Sequence, residues 1–216
     1  MVTTRPALLF DLDGTLVDSI GLIVGSMRHA FRGREVCPTD KEWTSKIGTP
    51  LRNCFSDWAA DADDVEVLVA GYREWQLANH DRLMSAYYGV AETLAALHQA
   101  GHRTALVTSK SEELAVRALR HTGLDPFIDE IVGLEATTRH KPDPEPVQVA
   151  LDRLGVAPAD AMFLGDSPYD ILAGNAAGVH TVAALWGPFS RAELEPASPG
   201  HFIEQFSELP GVLARL

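Results

Sequence analysis

Short apolar runs that alternate with stretches of helical periodicity constrain this fold more than any other feature of the sequence. The run PALLF (6–10) has no polar alternation and ends at an acidic residue, which is typical of a strand buried on both faces of a parallel sheet. Further strands are predicted within 103–109, 130–133, 161–167, 180–185 and 201–203. A glycine follows each of four predicted helices, at 90–100, 111–122, 143–154 and 168–177. This alternation predicts right-handed βαβ units and an α/β fold with a doubly wound parallel sheet.

Residues 18–83 depart from the alternation, because they contain no convincing buried strand and instead favour several helices, including a long one near 61–80. This segment is interpreted as an inserted helical domain. The α/β core would then consist of 1–17 and 84–216. Asp18 is expected to start the first helix of the insert.

Charge and composition exclude several classes of function. With 30 acidic and 18 basic residues, the net charge of −12 disfavours binding to nucleic acid or anionic membranes. The two cysteines, Cys37 and Cys54, are expected to be reduced, and no Cys/His cluster has zinc-type spacing. No signal peptide and no run of about 18 apolar residues is evident, so we expect a cytoplasmic protein. An anionic substrate would need a local cation.

Polar residues follow three of the predicted strands. Asp11, Thr108 with Ser109, and Asp166 each stand where a strand ends, and Lys141 in RHKPDPEP precedes the helix at 143–154. Open parallel sheets bind ligands at the carboxyl ends of their strands, so these groups are expected to converge at one edge. The carboxylates would repel one another there unless a hard cation were bound, which predicts Mg²⁺.

Phosphoryl transfer gives each of these residues a role. Asp11 can attack phosphorus to form an aspartyl-phosphate, and Asp13 can donate a proton to the leaving group and later take one from water. The Thr108 hydroxyl, the Lys141 ammonium and the backbone N–H groups around Gly14 and Ser109 can hold the transferring phosphoryl oxygens.

The metal site would be completed by Asp166, with Asp11 and the backbone carbonyl of Asp13 as the other protein ligands. Asp170 lies one helical turn after Asp166, and is expected to accept from metal-bound water or from Lys141. The plainer alternatives are that Asp170 neutralises a helix N-terminus and that Thr108 and Ser109 cap the helix at 111–122.

Four motifs, DLDGTLVDS, VTSK, KPDP and GDSPYD, resemble in order and spacing those of the haloacid dehalogenase-like hydrolase superfamily, over essentially the whole chain. The resemblance implies a Rossmann-like core and dependence on Mg²⁺. It also implies that Asp11 is the nucleophile, Asp13 the acid and base, Lys141 the charge stabiliser and Asp166 a metal ligand. The insert at 18–83 looks like the small α-helical cap of this family.

Within the superfamily the chain looks most like the phosphoglycolate phosphatase group, also from IGTPL (47–51) and YYGV (87–90). Arg52 is a candidate contact for the substrate's anionic tail, and Lys46 a weaker one, although such residues are more often solvated surface charges. The aromatic residues Trp43, Trp58, Trp75 and Tyr72 are interpreted as the packing core of the cap.

The sequence therefore predicts an Mg²⁺-dependent phosphatase that acts on a small phosphorylated metabolite of the phosphoglycolate type, as a monomer or homodimer. One rival is a hexose-phosphate mutase, which resembles this chain in all four motifs but carries a His where this chain has Ile23. Another rival is a catalytically idle protein that keeps the fold to bind phosphate. A dehalogenase is disfavoured because the dehalogenase form of the first motif lacks the second aspartate, Asp13.

Overall fold

A six-stranded parallel sheet forms the centre of the computed structural model, which describes residues 5–216. The described residues form eight strands, β1 (Ala7–Phe10), β2 (Val17–Asp18), β3 (Ser85–Ala86), β4 (Thr104–Val107), β5 (Glu130–Val132), β6 (Ala161–Gly165), β7 (His180–Ala184) and β8 (His201–Ile203). Strands β2 and β3 pair only with each other, and the other six form the central sheet. The order across the sheet is β5-β4-β1-β6-β7-β8, and every neighbouring pair is parallel. The predicted Rossmann-like α/β fold is confirmed.

Helices cover both faces of this sheet. The helices are α1 (Ile20–Ala30), α2 (Asp40–Thr44), α3 (Leu51–Phe55), α4 (Ala62–Asn79), α5 (Val90–Gln99), α6 (Glu112–Thr122), α7 (Glu145–Leu154), α8 (Pro168–Ala177), α9 (Arg191–Leu194) and α10 (Leu209–Leu213). Leu8 and Phe10 of β1 pack with α5 and α6, whereas Ala7 and Leu9 pack with α7 and α8. Successive side chains of a strand point to opposite faces, so β1 is apolar throughout because both of its faces are buried.

The path of the chain places a binding crevice between β1 and β6. From β1 the chain moves outward to β4 and β5, and it then crosses to β6, β7 and β8 on the other side. The chain therefore adds strands in one direction from β1 and in the opposite direction from β6, and these two strands are neighbours. The crevice at the carboxyl ends of such strands is where open α/β sheets bind ligands.

Four helices, α1 to α4, lie between β2 and β3 and are called the helical insert below. Val17 pairs with Ala86, and Asp18 with Ser85, in a short antiparallel ladder that holds the two ends of the insert side by side. This ladder was not predicted. The expectation that Asp18 starts α1 was wrong, because Asp18 belongs to β2 and Ser19 occupies the N-cap position.

Aromatic side chains form much of the packing inside the insert. Trp43 contacts the rings of Phe31, Phe55, Trp58 and Tyr72, with ring centroids 4.8–6.3 Å apart. Trp43, Trp58 and Tyr72 pack in one cluster of the insert, as expected. Trp75 packs against Gly25 of α1 and also against the cluster that contains β1. Over residues 5–216, no helix is both long enough and apolar enough to cross a membrane.

Candidate active site

Three buried carboxylates meet at the carboxyl ends of β1 and β6. Asp11 directly follows β1, Asp166 directly follows β6, and Asp170 lies in the first turn of α8. One oxygen of each lies within 4.8 Å of the others, and no side chain of the three is more than slightly exposed. The structure therefore brings Asp11 and Asp166 together, although 155 positions separate them in the sequence, because β1 and β6 are adjacent and parallel.

Lys141 joins these carboxylates from the loop before α7. Its Nζ donates to Oδ1 of Asp11 at 2.7 Å, to Oδ1 of Asp170 at 2.6 Å and to the carbonyl of Val107 at 3.2 Å. All three protons of the buried ammonium thus have acceptors. The position of this side chain is fixed beneath the end of β1.

Asp170 bonds to Ser167 as well as to Lys141. Its Oδ2 accepts from the backbone N–H of Ser167 at 3.0 Å, and the Ser167 hydroxyl caps the N–H of Asp170 in return, so that the two form a capping box at the start of α8. The residue therefore places a negative charge in the first turn of α8, as the plainer alternative held, and also bonds to Lys141, as the active-site interpretation held.

Burial and neighbouring charges shift the pKa values of Asp11, Asp166 and Lys141. Burial raises the pKa of Asp11 to about 7, against the opposing attraction of Lys141. Burial and the charges of Asp170 and Asp11 hold the pKa of Asp166 well above its ordinary value. Burial alone lowers the pKa of Lys141, but the Asp11 and Asp170 carboxylates outweigh it and the net shift is upward.

The donor set fits a divalent cation. When ionised, three carboxylates and one ammonium leave two negative charges in a buried site, which an ion of charge two neutralises. Asp166 Oδ1 accepts from the Thr15 hydroxyl at 2.7 Å, but Oδ2 is buried and has no hydrogen-bond partner among residues 5–216. Buried polar atoms without a partner are rare in proteins. Carboxylate oxygens are the ligands that Mg²⁺ prefers, so the residues fit this ion.

Two glycines keep the space beside Asp166 open. A Cβ on Gly14 would lie 2.4 Å from Asp166 Oδ2, and one on Gly187 would lie 2.6 Å from the same atom. The N–H of Gly14 itself donates to the carbonyl of Val17 at 2.9 Å in the turn after β1. That the backbone N–H groups around Gly14 bind a phosphoryl group stays a prediction.

Asp13 lies outside the three-carboxylate cluster and has its own partners. Its Oδ1 accepts from the hydroxyl of Ser19 at 2.5 Å and lies 2.9 Å from Nζ of Lys110, whose side chain is buried. Sequence reasoning missed Lys110, although it belongs to the motif VTSK. The available signal was its place one residue after a strand-end Thr-Ser pair.

Thr108 and Ser109 occupy the end of β4, as predicted, without capping α6 through their side chains. The Thr108 hydroxyl accepts from the N–H of Lys110 at 3.2 Å, and the N-cap position of α6 belongs to Ser111. The Ser109 hydroxyl donates to the carbonyl of Gly48 at 2.6 Å and so ties the core to the helical insert.

A small cavity of about 80 Å³ lies between this edge of the sheet and the helical insert. On the side of the core, the residues that line the cavity are Asp11, Asp13, Ser109 and Lys110. On the side of the insert, they are Ile23, Trp43, Ile47, Gly48, Thr49, Leu51, Cys54, Tyr72, Arg73 and Gln76. The cavity thus has a charged floor, a largely apolar wall and one basic residue from the insert, which is Arg73.

Neither basic residue singled out in the insert lines this cavity. Arg52 is bound through its guanidinium to both oxygens of Glu66, at 2.6 and 2.9 Å, and its side chain is largely exposed. Lys46 forms an ion pair with Asp57. The structure therefore does not bring Arg52 or Lys46 to the site, and it brings Arg73 instead.

A model of the haloacid dehalogenase-like hydrolase family matches residues 8–184. This match contains all of the predicted catalytic and metal-binding residues. It also spans the whole helical insert.

Similar proteins cover almost the entire chain. The pyrophosphatase PpaX of Bacillus velezensis is 36% identical over 211 residues, which represent 94% of each chain. The pyrophosphatase PpaX of Halalkalibacterium halodurans is 36% identical over 217 residues, covering 96% of this chain and 97% of the relative. The crystal structure of a predicted phosphoglycolate phosphatase from Haemophilus somnus has a TM-score of 0.88 and 25% identity, and the match covers 98% of this chain and 99% of that one.

Proposed function

This chain belongs to the haloacid dehalogenase-like hydrolase family and is a phosphatase, and we propose that it hydrolyses a small phosphorylated metabolite with the help of Mg²⁺. The observation that carries the proposal is the buried group of Asp11, Asp166 and Asp170 around Lys141. Such a group is costly to bury without a cation, and it stands at the sheet edge where ligands bind.

Asp11 is proposed as the nucleophile. Lys141 holds one of its oxygens at 2.7 Å, which fixes the carboxylate for attack. A new bond forms between this carboxylate and phosphorus while the bond from phosphorus to the leaving oxygen breaks, giving an aspartyl-phosphate. Water then attacks that phosphorus, which releases inorganic phosphate and restores Asp11.

Asp13 is proposed to move the protons. It gives a proton to the leaving oxygen in the first step and takes one from the attacking water in the second, a contribution of about 10²- to 10⁴-fold in rate. Ser19 and Lys110 both hold Oδ1 of its carboxylate.

Mg²⁺ would be held by Asp11, Asp166 and the backbone carbonyl of Asp13, with Asp170 beside them. When bound, the ion supplies positive charge that stabilises the transferring phosphoryl group and keeps the carboxylates ionised. Thr108 and Ser109 are proposed to hold phosphoryl oxygens, and the Lys141 ammonium is proposed to stabilise their negative charge. The segment 18–83 is proposed to act as a cap domain that opens to admit substrate and closes to exclude water.

Two substrates are the first candidates. Phosphoglycolate is favoured by the sequence resemblance and by the fold shared with a predicted phosphoglycolate phosphatase. Pyrophosphate is favoured by the names of relatives that are 36% identical over nearly the whole chain. Both compounds are small enough to suit a confined cavity. The mutase alternative is weakened further because Ile23, which stands where mutases carry a His, lines the cavity with an apolar side chain.

The test is phosphate release from phosphoglycolate, pyrophosphate and a panel of other phosphorylated metabolites, with Mg²⁺ and with EDTA. Metal-dependent release that Asp11→Asn abolishes, while its circular dichroism spectrum is retained, is the expected result. Isomerisation of a hexose phosphate without release would favour the mutase. Binding without turnover would favour the idle protein, and full activity of Asp11→Asn would refute the nucleophile assignment.

A further inference from the structure

Among the residues that the structure describes, Arg73 lacks an ionic partner, unlike three other arginines of the helical insert, and it is the arginine of the insert that lines the cavity. Arg28 pairs with Asp40, Arg34 with Asp64 and Arg52 with Glu66. Within residues 5–216, no carboxylate lies within ion-pair distance of Arg73, and its Nη1 donates to Oε1 of Gln76 at 2.7 Å.

Gln76 holds this guanidinium in place. It lies three residues after Arg73 on α4, so the two side chains share one face of the helix, and it is only 3% exposed. A guanidinium has five N–H donors, of which Gln76 uses one. The others are available to a ligand in the cavity.

The position of Arg73 suits recognition of an incoming anion. The residue lines both the cavity and a groove between the insert and the core, formed by Pro50, Leu51, Arg52, Asn53 and Val69 of the insert and by Leu134 and His140 of the core. It therefore stands where the cavity and the groove adjoin. The core contributes Asp11, Asp13, Ser109 and Lys110 to the same cavity, so a ligand in it can meet the nucleophile and Arg73 together.

We propose that Arg73, positioned by Gln76, binds a second anionic group on the substrate and so selects small phosphorylated compounds that carry a carboxylate or a further phosphate. The inference rests on the proposed function, because it assumes that the phosphoryl group lies at Asp11. A chain with a net charge of −12 repels a doubly anionic substrate overall, so a local cation has to offset that repulsion. A guanidinium can also bond two oxygens of either anion at once.

The lining of the cavity favours a short substrate. Its volume is about 80 Å³, and the aromatic residues Trp43 and Tyr72 on its wall suit a polar chain between the two anionic groups poorly. Phosphoglycolate satisfies the requirement with a carboxylate, and pyrophosphate satisfies it with a second phosphate.

The kinetic test compares three substrates that differ in their tail: phosphoglycolate, pyrophosphate and 2-hydroxyethyl phosphate, which replaces the carboxylate of phosphoglycolate by a neutral alcohol. We expect Arg73→Gln to lower kcat/KM by about 10- to 100-fold for the substrates with two anionic groups, the loss typical of a hydrogen-bonded charge, and by less than about threefold for the neutral-tailed one. Arg73→Lys should recover part of the loss. Arg28→Gln, an exposed and ion-paired arginine of the insert, is the matched control and should change none of the three.

A binding measurement separates this inference from the proposed function. Calorimetry on Asp11→Asn, with and without Arg73→Gln, measures the affinity for phosphoglycolate and pyrophosphate without turnover. Weaker binding in the double variant supports the role of Arg73 even if the wild type hydrolyses neither compound, which would refute only the proposed function. The inference would be overturned if Arg73→Gln lowered kcat/KM equally for the anionic and the neutral-tailed substrates. It would also be overturned if Arg73→Gln left the affinity for both phosphoglycolate and pyrophosphate unchanged.

Discussion

Replacing Gly187 by alanine should weaken Mg²⁺ binding although it replaces none of the proposed ligands. An added Cβ would lie 2.5 Å from Cβ and 2.6 Å from Oδ2 of Asp166, which is closer than non-bonded atoms approach. Gly187 does not have a positive φ, so the methyl group introduces no backbone strain of its own. The buried Asp166 side chain must therefore move.

The size of the effect follows from linkage between binding and folding. Changes to residues that orient metal ligands cost about 10- to 100-fold in metal affinity. At a Mg²⁺ concentration of 100 times the wild-type Kd, the metal stabilises the fold by about 2.7 kcal/mol, and a tenfold loss of affinity reduces this to about 1.4 kcal/mol. In a chain of this length 1 kcal/mol corresponds to about 2–4 °C in Tm, so the Mg²⁺-induced rise in Tm should be about 3–5 °C smaller.

Thermal unfolding with Mg²⁺ and with EDTA measures this difference directly. Steric overlap of the added methyl group also lowers the free energy of unfolding of the metal-free protein by about 1–3 kcal/mol, and the measurement with EDTA reports this loss separately. Gly211→Ala is the control, because a Cβ there meets nothing within 4 Å and the residue lies in α10. A full Mg²⁺-induced shift in Gly187→Ala would refute the assignment of Asp166 as a metal ligand.

Two further predictions concern acidic residues with different roles. Asp13→Asn should slow phosphate release by about 10²- to 10⁴-fold and keep the Mg²⁺-induced rise in Tm, whereas Asp166→Asn should lose that rise; the opposite pattern would contradict the assigned roles. The hydrogen bond from Arg34 lowers the pKa of Asp64 to about 2, so this pair stabilises the fold above about pH 4 and the contribution is lost as the pH falls toward 2. The free energy of unfolding of Asp64→Asn, from urea denaturation, should therefore fall less steeply than that of the wild type over this range. The exposed neighbour Asp63 supplies the control Asp63→Asn, and identical slopes in both variants would exclude the Asp64 effect.

Local patterns were sufficient to predict most of the fold. The strand at PALLF and the helices closed by glycines appear within a few residues of their predicted positions. These signals are local because a buried strand requires a run of apolar residues, and a helix that ends in a left-handed residue favours glycine at that position. The ladder of β2 and β3 was missed, since strands of two residues are too short to show a period.

Part of the site was also predictable. Asp11 and Asp166 had to converge once both were placed after adjacent parallel strands. The topology of the sheet does not predict the contacts of Lys110 or of the two glycines beside Asp166. They depend on how closely separate loops approach at one point, and the distance between Gly187 and Asp166 is not encoded in any spacing along the chain.

The sequence by itself determined the order of strands and helices and the kinds of side chain that stand at the strand ends, because apolar periodicity and capping are properties of neighbouring residues. Only the tertiary structure decided which basic residue of the insert reaches the cavity. Arg52 and Arg73 are equally charged in the sequence, but Glu66 holds the first at the surface while α4 places the second beside Gln76 in the cavity. That choice depends on how α3 and α4 pack, a contact between segments that no local pattern specifies.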